Sequence, residues 1–340
     1  TLIVSPKNKF MKVLHIIGAD ISKKTIDFAS YQLKKHCKVE NNTSGFRDLV
    51  RWLKGLQINC SEVMIVMEHT GLYSYRFELF LHKNSIAFTK VSALAIKLSL
   101  GIIRGKSDKQ DAMRIAWYGF EKAEHLVPVA QQHPGLQRLQ VLHSTRERLV
   151  KHRAALITAV KEYQDSCGLT KQDLIIKSQM QLIKGFDRQV QKLEMEIKTI
   201  VEDQSSINQN YHLLQSIKGV GKVLALTAII KTGNFTRFNN PRKFACFCGT
   251  APFEKTSGSS IRGKTRVSHL ADKRMKTLLD LAAKSAIQYD KELKEYYLKR
   301  TQNGKSKMST INVVRNKLLY RMFAVIKRQT PFTENYLRVA

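Results

Sequence analysis

The order of strand-like and helical segments in the first 120 residues constrains the fold of this chain more than any other feature. An apolar strand, "KVLHIIGADISKK", comes first, and "KTIDFASYQL" and "KHCKVENN" follow as two more short strands with turn residues between them. The segment "TSGFRDLVRWLKGL" has a Thr or Ser N-cap and helical apolar spacing, and "EVMIVMEHTG" is a second continuous apolar run. An amphipathic helix around Phe77, a strand "IAFTKVSA" and a helix "GKSDKQDAMRIAWYGF" complete the predicted order.

A ribonuclease-H-like α/β domain has this order of elements: three strands, a helix, a strand, a helix, a strand and a helix. In that order Asp20 ends the first strand and Glu68 ends the fourth, while Asp108 and Asp111 open the last helix on one face. Hard divalent cations prefer oxygen ligands, and they can stabilise both the attacking and the leaving oxygens in phosphoryl transfer. The pattern predicts that these four carboxylates bind Mg²⁺. The alternative is that they are ordinary solvated acids at strand ends and a helix start.

The net charge indicates the kind of partner. The 340 residues include 58 Lys and Arg against 27 Asp and Glu, a formal net charge of +31 with an isoelectric point near 10.0. Such an excess predicts a polyanionic partner, and nucleic acid is expected rather than a membrane, because no apolar stretch reaches transmembrane length and no signal peptide is visible. With the carboxylates, this predicts an enzyme that cuts nucleic acid. A non-catalytic RNA- or DNA-binding protein is the alternative.

The five cysteines predict neither a disulfide framework nor a zinc site. Cys37, Cys60 and Cys167 are isolated, and Cys246 with Cys248 lacks a second ligand pair nearby. The segment "KFACFCG" is interpreted as packed, with small buried thiols. A reduced, cytoplasmic location is therefore expected.

Residues 136 to about 204 are predicted to form a helical spacer. Two apolar stripes with coiled-coil-like spacing run through Leu149, Leu156, Val160 and Tyr163, and through Phe186, Val190, Leu193, Ile197 and Ile200. The segment "DSCGLT" separates them, which predicts an antiparallel helical hairpin. Packing within one chain and an intermolecular coiled coil are both open.

The C-terminal third carries three candidate nucleic-acid-binding features. "SIKGVGKVLALTAII" places G-V-G between two apolar helical segments, like a helix-hairpin-helix turn whose backbone amides grip a phosphate. The basic, Ser- and Gly-rich segment from Lys255 to Arg274 is expected to be a phosphate-binding loop. A single basic helix from Lys291 to Arg328 is predicted to bind the backbone, or to be a solvated charged face. The candidate contacts are Lys222, Lys255, Arg262, Lys264, Arg266, Arg274, Arg315 and Lys317.

Ser257 lies in this basic segment and is a candidate nucleophile for a phosphodiester. No His-Asp dyad accompanies it in the sequence, so its activation would have to come from a metal, an arginine or a distant group. Phosphate binding alone is the commoner role of such a loop.

The motifs "GADISKK", "MEHTGLY" and "GKSDKQDA" resemble the three acidic motifs of the DEDD transposases, the insertion sequence 110 family, whose N-terminal domain is similar to the RuvC Holliday-junction resolvase. The segment from "SIKGVGKVLALTAII" through "FCGTAPFEKTSGSSIRGKTRVSHLADKRMKTLL" resembles that family's C-terminal transposase domain. The resemblance covers nearly the whole chain in the same order. It implies that Asp20, Glu68, Asp108 and Asp111 are the metal-binding tetrad and that Ser257 is the nucleophilic serine.

The resemblance also implies an activity and partners. Members of the family are recombinases of mobile elements in which a structured noncoding RNA pairs with target and donor DNA, and they form a phosphoserine intermediate. A homo-oligomer, a dimer or a tetramer, is expected in a bacterial or archaeal cytoplasm, associated with the nucleoid. Three regions follow: a RuvC-like domain at 1–128, a helical coiled-coil spacer at 129–207 and a mostly helical serine domain at 208–340. The rivals are a site-specific DNA invertase of the same fold and a RuvC-like junction resolvase, which would not need Ser257.

Overall fold

The computed structural model describes residues 15–69, 71–101, 105, 107–130, 134–238, 240–257 and 261–333. The chain divides into two compact units, residues 1–131 and 132–340. The first unit is α/β and the second is mostly helical. No helix among the described residues is both long and apolar enough to cross a membrane.

A five-stranded sheet forms the centre of the first unit. Its strands are β1 (His15–Ile21), β2 (Thr25–Ser30), β3 (Lys35–Glu40), β4 (Val63–Glu68) and β5 (Ala87–Val91), in the spatial order β3-β2-β1-β4-β5. The first three strands are antiparallel neighbours, whereas β4 is parallel to β1 and β5 is parallel to β4. Parallel neighbours need crossover connections, which helices supply. This mixed sheet follows the predicted order and fits a ribonuclease-H-like domain.

Helices cover both faces of this sheet. They are α1 (Thr43–Gly55), α2 (Tyr75–Lys83), α3 (Ala93–Ser99) and α4 (Asp108–Glu121). On one face Phe46 and Phe77 of α1 and α2 pack around Phe28, and on the other Ile115 of α4 packs against Ile16. In β1 and β4 the two clusters take alternate residues, as the pleat requires.

Two details of the first unit differ from the prediction. The N-cap of α1 is Asn42, not Thr43 or Ser44, because the Asn42 side chain accepts a hydrogen bond from the backbone N–H of Gly45. The short helix α3, which follows β5, was not predicted. Its seven residues are too few for a clear apolar period.

Two long helices open the second unit. They are α5 (Pro134–Cys167) and α6 (Leu174–Glu202), and they pair within the chain as the predicted antiparallel hairpin. Val160 of α5 is buried with Ile176 and Ile183 of α6. Three ion pairs follow the same antiparallel register, Arg138 with Glu196, Arg146 with Glu194 and Arg153 with Asp187.

The remainder of the second unit is a helical core that carries one β-hairpin. Its elements are α7 (Ser205–Gln215), α8 (Lys222–Thr232), α9 (Pro241–Phe247), β6 (Pro252–Ser257), β7 (Ile261–Val267), α10 (Lys273–Tyr289), α11 (Lys291–Gln302) and α12 (Lys307–Arg328). Helix α8 is buried along nearly its whole length in the common apolar cluster. All five cysteines of the chain are free, and Cys248 is buried in this cluster, so burial raises the pKa of its thiol.

Two secondary-structure predictions for this unit were wrong. The basic segment after Pro252 is largely an antiparallel hairpin, β6 with β7, rather than a loop. The predicted single helix from Lys291 to Arg328 is two helices. It breaks because Gly304 has a φ of 73°, which glycine adopts without strain, and the Ser306 side chain then caps α12.

Candidate active site

The structure brings the four predicted carboxylates to one edge of the first unit. Ala19 of β1 lies opposite Met67 of β4, so Asp20 and Glu68 are the next residues along two adjacent parallel strands. By the alternation of side chains they point to the face that carries α4. Asp108 and Asp111 lie in the first turn of that helix, after the Ser107 N-cap.

Gly18 sets how closely α4 approaches β1. A Cβ atom at this position would lie 2.3 Å from the backbone oxygen of Ala112 and 2.3 Å from the backbone nitrogen of Ala116. Real Cβ atoms do not make such contacts, so any larger residue would push the helix away from the strand. This glycine therefore sets the spacing between Asp20 on the strand and the acids of the helix.

The acids act on one another electrostatically. The pKa of Asp20 is raised from 3.8 to about 6, first by burial and then by the negative charges of Asp111, Asp108, Glu68 and Asp27, in that order. Burial and like charges both disfavour the ionised form of a carboxyl group, and a nearby cation reverses the effect. At neutral pH this cluster therefore favours a bound cation.

Two residues of this edge were missed by the sequence analysis. Asp27 of β2 lies opposite Asp20, is 4% exposed, and its Oδ1 is 2.8 Å from Nε2 of His36. Lys38 of β3 lies opposite Asp27, and its Nζ is 3.3 Å from Asp27 Oδ2 and 3.3 Å from Asp108 Oδ2. An acid inside the apolar segment "TIDFAS" was the available signal, but its position beside Asp20 depends on the β1–β2 register.

The two acids of α4, Asp108 and Asp111, are each ion-paired with a basic side chain. Lys38 pairs with Asp108, and Nη1 of Arg114 donates to Asp111 Oδ1 at 2.7 Å. The hydrogen bonds to Asp27 and Asp108 raise the pKa of Lys38. Arg114 also donates to the backbone oxygen of Gly105 at 2.9 Å, which ties the segment before α4 to the helix.

The donor chemistry of this edge fits a hard divalent cation, because β1, β4 and α4 each supply carboxylate oxygens. Among the described residues, no three His, Cys, Asp or Glu side chains are arranged so that they could hold one ion together. The structure gathers the acids at one edge without arranging three of the described side chains around one point. Lys38 and Arg114 are paired with two of the acids, Asp108 and Asp111.

The β6–β7 hairpin carries the candidate nucleophile. Ser257 is the last residue of β6 and lies opposite Ile261 of β7. Lys255 lies on the same strand, and Arg262, Lys264 and Arg266 follow along β7, so four predicted nucleic-acid contacts fall on the two arms. Ser259 and Ser260, two further serines of the same segment, lie outside the described residues.

The other predicted contacts have different surroundings. Lys222 is exposed at the first residue of α8, after the G-V-G turn that joins α7 to α8. Arg274 forms an ion pair with Glu147, and the Lys317 Nζ lies 3.3 Å from Glu292 Oε1 and 4.2 Å from the ring centroid of Tyr296.

Arg315 does not present its charge to solvent. It is 7% exposed, and its guanidinium donates to Asp280 of α10. A buried charge needs such a partner, and the pairing keeps the guanidinium inside the helical core. The 3.6-residue period of α12 turns this residue toward α10, whereas the basic composition alone had placed it on the surface.

Both parts of the chain match known families. Residues 17–167 match the DEDD transposase family of insertion sequence 110, and residues 211–298 match the family described as Transposase IS116/IS110/IS902. The chain is 28% identical over 334 residues to the pilin gene-inverting protein of Moraxella bovis, with 93% of this chain and 97% of that protein covered. It is 23% identical to the transposase for insertion sequence element IS1111A of Coxiella burnetii, with 97% and 94% covered.

Proposed function

Because this chain belongs to the insertion sequence 110 family of DEDD transposases, we propose that it recombines DNA with two sets of residues, an acidic tetrad and a serine. The tetrad is Asp20, Glu68, Asp108 and Asp111, and the serine is Ser257. The observation that carries the proposal is the placement of these acids: Asp20 and Glu68 follow paired residues of two adjacent parallel strands, and Asp108 and Asp111 lie in the first turn of α4. Carboxylates held together against their own repulsion, in a protein of net charge +31, suit a site that takes a cation and a polyanion.

The four carboxylates would hold Mg²⁺, which when bound supplies Lewis-acid stabilisation of charge on phosphate oxygens. The residues around the tetrad have supporting roles in the proposal. Lys38 neutralises part of the charge of Asp27 and Asp108, and Arg114 orients Asp111. Gly18 keeps α4 at the distance that lets both strands and the helix contribute.

The Ser257 hydroxyl supplies the covalent step. Its Oγ attacks a backbone phosphorus, an Oγ–P bond forms, and the bond from phosphorus to the leaving strand breaks, with the hydroxyl proton passing to the leaving oxygen. Attack by the hydroxyl of another strand reverses the step and restores the serine. The phosphodiester energy is kept in the protein–DNA bond, so no further energy source is needed.

A guide RNA and a homo-oligomer complete the proposal. The RNA would pair with donor and target DNA, and the basic arms of the β6–β7 hairpin would track phosphates. The α5–α6 hairpin would act as a spacer between the RuvC-like region and the serine region. Sequencing the RNA that copurifies with the protein from its host tests this part, and the absence of any specific RNA would contradict it.

The deciding experiment is a trap for the covalent intermediate. Protein with its copurified RNA is mixed with labelled DNA carrying the flanking sequences of its gene, quenched in denaturant, and examined for DNA joined to protein. Ser257→Ala should give no adduct and no recombination while retaining its fold, and Ser268→Ala, beyond the end of β7, is the matched control. Recombination by Ser257→Ala would overturn the serine mechanism.

Site-specific inversion is the second candidate. The relatives from Moraxella bovis and Moraxella lacunata that match this chain over 93% of its length are pilin gene-inverting proteins. The same strand chemistry serves both outcomes, because inversion joins two sites on one DNA molecule. A plasmid with two inverted candidate sites separates them: inversion without transfer to a second plasmid favours the invertase.

A further inference from the structure

Two asparagines of α12 bind the segment just before β6, which we call the foot of the β6–β7 hairpin. Thr250 lies two residues before β6 and is fully buried. Its backbone oxygen accepts hydrogen bonds from Nδ2 of Asn312 at 2.9 Å and from Nδ2 of Asn316 at 2.8 Å. One buried carbonyl thus takes two side-chain donors from a different element, which is a specific arrangement because most side-chain amides of a helix surface face water.

Both amides are held in the orientation that presents their NH₂ groups. Thr250 Oγ1 donates to Asn316 Oδ1 at 3.1 Å, and Arg315 Nη1 donates to Asn312 Oδ1 at 3.4 Å. Arg315 is itself anchored by its ion pair with Asp280. Because each Oδ1 already accepts a hydrogen bond, each Nδ2 is left to donate to the Thr250 carbonyl. The buried Arg315 therefore serves this network.

The two arms of the hairpin meet at this foot. Arg242 donates to the backbone oxygen of Pro252 at 3.0 Å, and the backbone N–H of Asp272, beyond β7, donates to Phe247 at 2.9 Å. Gly249 fits against the segment after β7, where a Cβ would lie 2.3 Å from that of Ala271. A two-stranded hairpin is marginally stable alone, so its direction depends on these attachments.

Ser257 lies at the end of β6 that is farther from the foot. It is five residues beyond Pro252, which at about 3.3 Å per residue is about 17 Å along the strand. A tilt of about 10° at the foot would move the end of β6 by about 3 Å. Catalytic geometry tolerates far less, since a displacement of about 1 Å can cost about 100-fold in rate.

We propose that Asn312 and Asn316 are positioning residues that fix the direction of the β6–β7 hairpin, and with it the place of Ser257. The expected effect of these residues on catalysis rests on the proposed function of Ser257. The hydrogen bonds from Asn312 and Asn316 to Thr250, which we call the clamp, are a property of the fold. Hydrogen exchange of the hairpin amides detects the effect of the clamp without any reaction. A failure of the serine chemistry is therefore distinguishable from a failure of the clamp.

The test compares Asn312→Leu/Asn316→Leu with wild type and with Asn303→Ala, an exposed amide between α11 and α12. Leucine keeps the number and the branching of the side-chain heavy atoms and removes the donors. The backbone amides of residues 253–257 and 261–267 should exchange about tenfold faster or more in the double variant, while α8 keeps its protection. Nucleic-acid affinity should stay within about twofold, and adduct formation should fall about tenfold or more. Unchanged hairpin exchange, or a wild-type rate of adduct formation, would overturn the proposal.

Thr250 offers a second pair should the double variant fail to fold. Thr250→Ser keeps the hydroxyl that orients Asn316, whereas Thr250→Val keeps the shape and loses it. The serine variant should retain the wild-type rate of adduct formation, and the valine variant should lose about tenfold with binding retained. Equal losses in both would mean that Thr250 acts through packing alone, and the positioning role would be rejected. Absence of an adduct in wild type would instead reject the serine function.

Discussion

Replacing Asp20 with asparagine should remove activity and at the same time stabilise the metal-free protein. The pKa of Asp20 is about 6 in the folded protein against 3.8 for the free side chain, so the folded state keeps a proton that the unfolded chain releases. Stability is therefore lost as the pH rises through the window between these values, and the full penalty is present above about pH 7. The difference corresponds to at most about 3 kcal/mol, and screening of this partly exposed group reduces it to roughly 1–2 kcal/mol.

Urea unfolding with EDTA measures this effect. At pH 7.5 Asp20→Asn should be more stable than wild type by roughly 1–2 kcal/mol, and at pH 4.5 the difference should shrink to about a third. Added Mg²⁺ should stabilise the wild type more than the variant, since a ligand that binds only the folded state adds to its stability. Asp165→Asn, an exposed acid of α5, is the control and should show neither effect. Equal stability of Asp20→Asn and wild type at both pH values would refute the electrostatic reasoning.

Three other predictions follow from the site and the charge. Asp111→Asn should abolish strand cleavage and leave nucleic-acid affinity nearly unchanged in a filter-binding assay, because binding rests on Lys and Arg; full recombination by this variant would reject the metal-site interpretation. Affinity for RNA or DNA should fall by about 1,000-fold or more between about 50 and 200 mM salt, and a flat dependence in titrations would contradict a phosphate-tracking surface. Gly18→Ala should cost about 1–3 kcal/mol in urea unfolding, because its Cβ would overlap the backbone of α4, whereas Gly185→Ala, with open space within helix α6, should gain about 1 kcal/mol; a neutral Gly18→Ala would show that α4 can move freely.

The first unit was predictable because local signals and global order agree in it. Strands β1 and β4 are continuous apolar runs bounded by turn residues, and the four acids stand at strand ends or in the first turn of a helix. These positions are readable from a linear pattern. The α5–α6 hairpin was predictable for the same reason, since apolar residues at steps of three and four fall on one helix face.

The second unit was less predictable where composition and position conflict. Glycines and serines mark the segment around Ser257 as a loop, yet its flanking residues pair as β6 and β7. A charge count over 291–328 treats every Lys and Arg as a surface residue, yet Arg315 and Arg321 are each largely buried and ion-paired. Burial depends on which helix lies opposite, and no count of charges contains that information.

For the strands of the first unit and for the α5–α6 hairpin, the sequence by itself determined the types of the elements and their order, because hydrophobic period is a local property of the chain. Only the tertiary structure decided which side chains meet. The β1–β2–β3 register placed Asp27 opposite Asp20 and Lys38 opposite Asp27, and the packing of α12 brought two amides to Thr250. A shift of one residue in a strand would turn those side chains to the other face, so the site depends on register that the whole sheet sets.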